Sequence, residues 1–325
     1  MTARSLPCPS SCGSAINYYL WDTGAGIWPP EVYLDMMETF RLNESRLDPT
    51  AARLSAYFSQ LFILAGKDFL QYAVLDTEKS RFIALADYIS DSSDKDRETW
   101  QAGMESLFTS DEFLHRNYPA VLIAVDTNYH TIIPSALYDA EHSRDHLEMN
   151  FNLPAGLAFR SDHLRESGAW NTFGIEREWL DIMKRHFAQE IVLHRTTPLL
   201  TRFSLMHRQA HGEKLVFLNF LGKRFDLAAF SDNMLLFFNS FHYETGEDVL
   251  YFTLYALEQI RLRTGDVSLK LGGTVEESSG LVSLLREYFP EAGFMERPEQ
   301  FTYSPLMDFP AHRYQALFSL ALCGS

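Results

Sequence analysis

The chain has 325 residues, of which 46% are hydrophobic, 22% charged and 14% aromatic, and this length and composition suit a folded protein with two cores. The formal net charge of −15 disfavours duplex nucleic acid and anionic membrane surfaces as partners, since both require basic patches. No segment approaches the ~18 apolar residues of a membrane span, and the three cysteines form no disulfide pattern. The sequence therefore predicts a cytoplasmic protein that binds neither nucleic acid nor membrane.

The first 50 residues match nothing in the rest of the chain. Pro29-Pro30 and Asp48-Pro49 interrupt them, with one short amphipathic segment between. We therefore predict a partly mobile N-terminal extension over residues 1–50.

The next segment predicts a three-stranded unit followed by a helix and a strand. Leu61–Tyr88 contains three apolar runs separated by a turn at Ala65-Gly66-Lys67 and a polar turn. A helix over Thr99–Phe108 and a buried strand up to Val125 follow. Beyond them, Leu153–Phe173 reads as loop-rich with some strand character. Glu176–Phe187 then has the apolar spacing and acidic first turn of a helix.

The second half repeats this plan. Leu218–Tyr243 again contains three apolar runs, and Gly222-Lys223 aligns with Gly66-Lys67 at the first turn. A helix from Thr245 and a strand over Val267–Leu271 follow. A β-β-β-α-β unit written twice predicts mixed sheets covered by helices on both faces. The fold class is α/β, with two ribonuclease-H-like domains, 51–195 and 196–325, in an actin-like ATPase arrangement.

Two segments resemble a known family. Tyr129–Asn150 and Leu235–Gln259, the latter containing an Asn-Ser-Phe…Glu-Asp-Val-Leu-Tyr-Phe pattern, are similar to the Bacteroidetes family called domain of unknown function 3822. The likeness extends from about Glu44 to Cys323. It implies an actin-like ATPase fold and a bacterial cytoplasmic origin, and it implies no reaction.

The fold that the resemblance implies places ATP in the cleft between the domains, against two Asp-x-Gly turns and a Gly-Gly strand end. Backbone N–H groups hold phosphate there, and a carboxylate works through Mg²⁺. Here Leu64 stands where the first turn needs aspartate, and Phe220, or Asn219 with a shift, stands at the second. Both turns therefore look catalytically degraded.

A nucleotide site remains a prediction from the other features. The candidate contact residues lie on both turns and at the strand end of the second domain. They are Gly66, Lys67, Gly222, Lys223, Gly272, Gly273 and Thr274. Two lysines facing the cleft would offer charge to an anion without a metal, which would allow a nucleotide to bind without hydrolysis. The sequence does not identify a cofactor, and ATP with Mg²⁺ is the candidate to test. No catalytic or metal-ligating residue is predicted.

Two functions follow. The first is a non-catalytic protein that uses its cleft or surfaces to bind a protein partner, with or without a nucleotide. The second is an ATPase or kinase-like enzyme whose acidic groups come from the unusual positions Asp76, Asp126 or Asp226. We favour the first, because the carboxylates of the phosphate turns are missing.

Overall fold

The computed structural model describes residues 39–90 and 97–323. In chain order its strands are β1 (Arg41–Leu47), β2 (Ser59–Ala65), β3 (Phe69–Asp76), β4 (Arg81–Ile89), β5 (Val121–Val125), β6 (His130–Pro134), β7 (Leu157–Leu164), β8 (Ala169–Glu176), β9 (Glu190–His194), β10 (Lys214–Leu221), β11 (Arg224–Ser231), β12 (Met234–His242), β13 (Val267–Gly273), β14 (Gly293–Phe294) and β15 (Thr302–Tyr303). Its α-helices are α1 (Arg97–Ser110), α2 (Ser143–Glu148), α3 (Arg177–His186), α4 (Thr196–Gln209), α5 (Gly246–Gln259), α6 (Gly280–Tyr288) and α7 (Gln315–Ser319).

The first sheet has the strand order β1-β4-β3-β2-β5-β9, with β15 beside β4. Strands β2, β3 and β4 are antiparallel neighbours, while β5 runs parallel to β2 and β9 parallel to β5. The central strands are almost continuously buried because helices cover both faces, which is why their sequences read as unbroken apolar runs. Helices α1 and α3 pack on one of these faces.

The second sheet repeats that order as β12-β11-β10-β13-β14. Strands β10 to β12 are antiparallel and β13 runs parallel to β10, so the duplicated β-β-β-α-β plan is confirmed. Helices α5 and α6 cover one face. The other face shares a core with the first sheet through α4 and α7. There Phe203 stacks on Phe217 at 4.3 Å and Phe318 packs against Phe82 at 4.8 Å between ring centroids.

The sequence aligns the two Gly-Lys pairs, but they occupy positions in their hairpins that differ by one residue. In the first hairpin Gly66 pairs with Phe69, so the turn residues are Lys67 and Asp68. In the second, Leu221 pairs with Arg224 and the turn is Gly222-Lys223 itself. The glycines also serve different needs. A Cβ on Gly66 would lie 2.3 Å from the Phe69 ring, whereas Gly222 has open space and a φ of +56°.

A third sheet, with the order β6-β8-β7, is inserted between β5 and α3 and carries α2. The sequence predicted a loop-rich Leu153–Phe173 with some strand character; the strand character is confirmed and the loop-rich description was wrong, because β7 and β8 form a long antiparallel hairpin. Polar residues interrupt the apolar pattern of β7, so alternation alone does not reveal the strand. Asp162 is one of them, and it is buried.

The ends of the chain both join the first sheet. Strand β1 pairs along β4, so the sheet begins about ten residues before the predicted boundary at residue 51. Strand β15, from the predicted 196–325 unit, pairs with the start of β4. Residues 1–38 of the predicted extension lie outside the described residues. Within the described residues, no helix is both long enough and apolar enough to cross a membrane.

Candidate binding site at the domain junction

The junction between the two large sheets is built around one buried arginine. Arg195 lies between the end of β9 and the start of α4. Its Nε donates to Asp126 Oδ1 at 2.8 Å, while Nη1 and Nη2 donate to the two carboxylate oxygens of Asp226 at 2.6 and 2.9 Å. Asp126 directly follows β5 and Asp226 lies on β11. A single guanidinium therefore joins the two sheets.

A second arginine completes this network. Arg224, the first residue of β11, pairs with the other oxygen of Asp126 and donates to Asn128 Oδ1 at 2.9 Å. The Ser240 hydroxyl donates to Asp226 Oδ1 at 2.7 Å. Two carboxylates thus meet two guanidinium groups, and the formal charges cancel.

The network decides the charge states of its members. Burial alone would raise the pKa of Asp126, but the charges of Arg195 and Arg224 outweigh it and hold that pKa below its ordinary value. Burial likewise acts to raise the pKa of Asp226, and the charge and hydrogen bonds of Arg195 lower it below 3.8. Both aspartates are therefore ionised at neutral pH.

An open cavity of about 420 Å³ lies beside the network. Lys67, Arg224 and His242 bring polar groups to its wall, and Trp179 brings an aromatic ring. Trp179 stacks on Trp100 with ring centroids 4.3 Å apart. The indole N–H of Trp100 donates to the carbonyl of Lys67 at 3.1 Å. Asp68 and Glu176 also line it, so the cavity combines charged groups of both signs with an aromatic ring.

The two lysines predicted to face the cleft point to different places. Lys67 is exposed and lines the cavity. Lys223 Nζ instead lies 2.5 Å from Glu244 Oε2, in a pair whose side chains are both more than two-thirds exposed. Only one of the two predicted charges therefore contributes to this cavity.

The predicted glycine pair at the end of β13 is occupied by protein contacts. Gly273 has a φ of +82°, and a Cβ there would lie 1.9 Å from the carbonyl oxygen of Phe220. Its N–H donates to the carbonyl of His312 at 2.7 Å. A Cβ on Gly272 would meet the Met295 side chain at 2.3 Å. The Thr274 hydroxyl accepts from the N–H of Gly222 at 3.3 Å.

Two of the three carboxylates considered for the enzyme hypothesis come together. Asp126 and Asp226 meet at Arg195, whereas Asp76 accepts from the N–H groups of Glu78 and Lys79 at the turn after β3. In the described part of the chain, no group of three or more His, Cys, Asp or Glu side chains could hold a metal ion. Sequence reasoning missed Arg195; its only signal is a charged residue placed between a buried strand and a Pro-containing helix start.

Solved structures define the class of fold. A protein of Bacteroides thetaiotaomicron VPI-5482, described as having an actin-like ATPase fold and unknown function, superposes with a TM-score of 0.67 at 21% identity, over 74% of this chain and 91% of that one. The PilM–PilN type IV pilus biogenesis complex matches with a TM-score of 0.56 at 13% identity, over 82% and 98% of the two chains. The chain therefore has the actin-like ATPase fold, as predicted.

The family follows from the sequence match. The model of the family described as "Protein of unknown function (DUF3822)" matches residues 48–292. The chain belongs to this family, and the predicted resemblance is confirmed. No curated protein matches it.

Proposed function

We propose that this chain is a non-catalytic member of the actin-like fold that binds a protein partner. One observation carries the proposal: the Arg195 guanidinium lies between Asp126 and Asp226, the two carboxylates that converge at the domain junction. A fixed cation of the protein thus stands among the acidic groups that an ATP-dependent enzyme would need for Mg²⁺.

Magnesium with ATP does not fit this set of residues. Mg²⁺ binds oxygen ligands at about 2.0–2.1 Å in near-octahedral geometry and gives up its waters reluctantly. The oxygens of Asp126 and Asp226 already accept hydrogen bonds from guanidinium groups. A metal would have to displace Arg195, whose side chain is only 3% exposed, and leave its charge unpaired in the protein interior.

A protein partner is supported by charge and by the fold. The net charge of −15 works against nucleic acid as the partner. Among the structural matches above 0.5 in TM-score, PilM is described in a complex with PilN, so this fold occurs in a protein that binds another protein. For the present chain we propose only that it also binds another protein, and no role in pilus biogenesis.

An ATP-binding enzyme is the second candidate. It is favoured by the cavity beside the junction, where the exposed Lys67 side chain offers positive charge and Trp179 offers an aromatic ring. A nucleotide bound there by its phosphates and base would need no Gly-Gly contact. This candidate requires ATP to bind and, for catalysis, Asp126 or Asp226 to exchange an arginine for a metal.

The two candidates are separated by a thermal-shift titration of the full chain with ATP and ADP, with and without Mg²⁺. A ligand at a hundredfold excess over its dissociation constant stabilises the folded state by about 2.7 kcal/mol. We expect no Mg²⁺-dependent rise in the unfolding midpoint and no phosphate release from ATP.

The matched variants are Lys67→Ala and Lys79→Ala. Both lysines are exposed, but Lys79 lies on the turn after β3, away from the cavity. A Mg²⁺-dependent shift that survives Lys79→Ala and disappears in Lys67→Ala, together with ATP hydrolysis, would refute the non-catalytic proposal and establish the enzyme.

A further inference from the structure

In the described part of the structure, the five-stranded sheet ends in β12, an edge strand that carries no charge or proline and whose pairing with β11 shifts by one residue near Leu236. Strand β12 has nine residues, Met-Leu-Leu-Phe-Phe-Asn-Ser-Phe-His, without a lysine, arginine, carboxylate or proline. Edge strands are normally blunted by charges, prolines or shortness, because their free N–H and C=O groups can pair with another chain. In the described part of the structure, the other edge strands of five or more residues each carry such a residue. These are Arg41 in β1, Pro134 in β6, Arg160 in β7 and Glu190 in β9.

The register shows which backbone groups of β12 point away from the sheet. The N–H of Tyr243 donates to the carbonyl of Lys223 at 3.0 Å, so Tyr243 faces β11. Hydrogen-bonded and non-hydrogen-bonded residues alternate along an antiparallel strand. The backbone groups of Phe238, Ser240 and His242 therefore point outward. The outward N–H of Ser240 donates to Oδ1 of the Asn239 side chain at 2.9 Å.

A second strand edge faces β12 across a groove. The N–H of Gly174 donates to the carbonyl of Tyr129 at 2.8 Å, so by the same alternation His130 and Ile132 of β6 point their backbone groups outward. A cavity of about 530 Å³ lies between the two edges, with His130 and Ile132 on one wall and Phe238, Asn239, Ser240 and His242 on the other. Among residues 39–90 and 97–323, no aspartate or glutamate side chain lines it, although the chain as a whole is strongly acidic.

We propose that this groove binds an extended segment of a partner protein, which adds to the second sheet as a strand along β12. The inference rests on the proposed function and names the site through which the partner is held. In this mode of recognition, backbone hydrogen bonds provide affinity and flanking side chains provide selectivity.

The opposite wall selects a single segment over a second copy of this chain. The rings of His130 and Phe238 lie 5.9 Å apart, so β6 closes one side of the groove. A second copy would bring further strands of its own sheet behind the paired edge, each about 4.7–4.9 Å farther out, in the direction where β6 lies. One extended segment needs only the width of the groove.

The side chains along β12 indicate the chemistry of the segment. Met234 and Leu236, at its start, are 57% and 37% exposed and offer apolar contacts. At its end, Arg224 and His242 line the groove. Arg224 already pairs with Asp126, so His242 is the side chain left for the ligand at this end. The bound segment therefore carries apolar side chains beside Met234 and Leu236 and polar side chains beside His242.

The test uses a displayed library of short linear peptides selected on the immobilised full chain. The affinity of each selected peptide is then measured by calorimetry for the unsubstituted chain, His242→Pro and His242→Ala. Proline on an edge strand is tolerated where its N–H position faces outward. It removes the backbone donor, while alanine keeps it. Both variants lose the imidazole that lines the groove, and only proline also loses the backbone donor. We therefore expect His242→Pro to bind about tenfold more weakly than His242→Ala.

A second pair of variants guards against misfolding of the proline variant. Leu236→Lys places a charge on the edge, and Tyr255→Lys places one on an exposed tyrosine of α5 as the matched control. We expect Leu236→Lys alone to weaken binding. Hydrogen exchange of the complex should show new protection at the amides of Phe238 and His242.

Three results would overturn the site: no selected peptide, equal binding to all four variants, or protection confined to another surface. A concentration-dependent dimer abolished by Leu236→Lys would instead assign the edge to a second copy and also overturn it. The proposed function is judged separately by the nucleotide titration. A peptide that binds to another surface would refute the β12 site and still agree with the proposed function. ATP hydrolysis would refute the proposed function and would not change the peptide-binding result at β12.

Discussion

Replacing Arg195 by methionine should destabilise the protein through the aspartates that it leaves behind. The substitution keeps an unbranched side chain of similar reach and removes three hydrogen bonds to Asp126 and Asp226. Asp126 retains Arg224, but Asp226 retains only the Ser240 hydroxyl, and its side chain is 2% exposed. Removing one partner of a buried ion pair costs about 3–5 kcal/mol, because the remaining charge is unpaired.

A double-mutant cycle distinguishes this cause from lost packing. Asp226→Asn in the unsubstituted chain should be destabilising, since it weakens the pair with Arg195. In the Arg195→Met background the same change removes the unpaired charge, so it should restore stability. Urea denaturation of the four proteins gives the coupling energy, which we expect to exceed about 2 kcal/mol.

The same variant should reverse a pH dependence. In the unsubstituted chain the folded-state pKa of Asp226 is lowered below 3.8, so its stabilising contribution is present above that value and is lost as the pH falls through the folded pKa. Without Arg195, burial raises the pKa instead, and the variant should gain stability on acidification from neutral pH. Two results would refute the reasoning. In the first, the destabilisations by Arg195→Met and Asp226→Asn add to within about 0.5 kcal/mol in the double variant. In the second, Arg195→Met leaves the pH dependence of the free energy of unfolding unchanged.

Three further predictions concern the fold. Gly273→Ala should cost several times more stability in urea denaturation than Gly222→Ala, because only at Gly273 would the new Cβ overlap a carbonyl, at 1.9 Å from Phe220. Burial raises the pKa of Asp162 to about 7, so this group makes stability fall as the pH rises from 3.8 towards 7. In the Asp162→Asn variant the free energy of unfolding should fall less between pH 3.8 and 7, by up to about 4 kcal/mol. An unchanged pH dependence in this variant would contradict the prediction. Thr245→Ala should lower the free energy of unfolding by about 1 kcal/mol, since the capping box at the start of α5 is lost.

The central strands of the two large sheets could be predicted because local sequence determines them, whereas the edge strands β1, β14 and β15 were not predicted. Leu61–Tyr88 alternates long apolar runs with short polar turns, and no distant contact is needed to interpret them. The β7–β8 hairpin could not be predicted in the same way. Asp162 interrupts its apolar pattern, yet it is buried because it accepts hydrogen bonds from the His194 N–H and the Thr197 hydroxyl, more than thirty residues away. Such pairing is visible only in three dimensions.

The candidate site was predicted in part, for a related reason. Sequence spacing placed Lys67 and Lys223 at matching turns, but the hairpins close one residue apart, and Lys223 pairs with Glu244. Asp126 and Asp226 were considered as displaced acidic groups, and they do meet. Their partner, Arg195, belongs to no motif, and only the crossing of the two sheets gives it a role.

The residues that resemble a nucleotide site make their contacts with the protein itself. Gly273 needs to be glycine because the backbone of β10 approaches it, and its N–H is already donated to the carbonyl of His312. Asp226 needs its negative charge because Arg195 is buried against it. Both requirements hold without any ligand, so a Gly-Gly strand end and a carboxylate at the junction would be retained in a chain that had lost ATP. Packing and charge pairing are therefore sufficient reasons for these residue types.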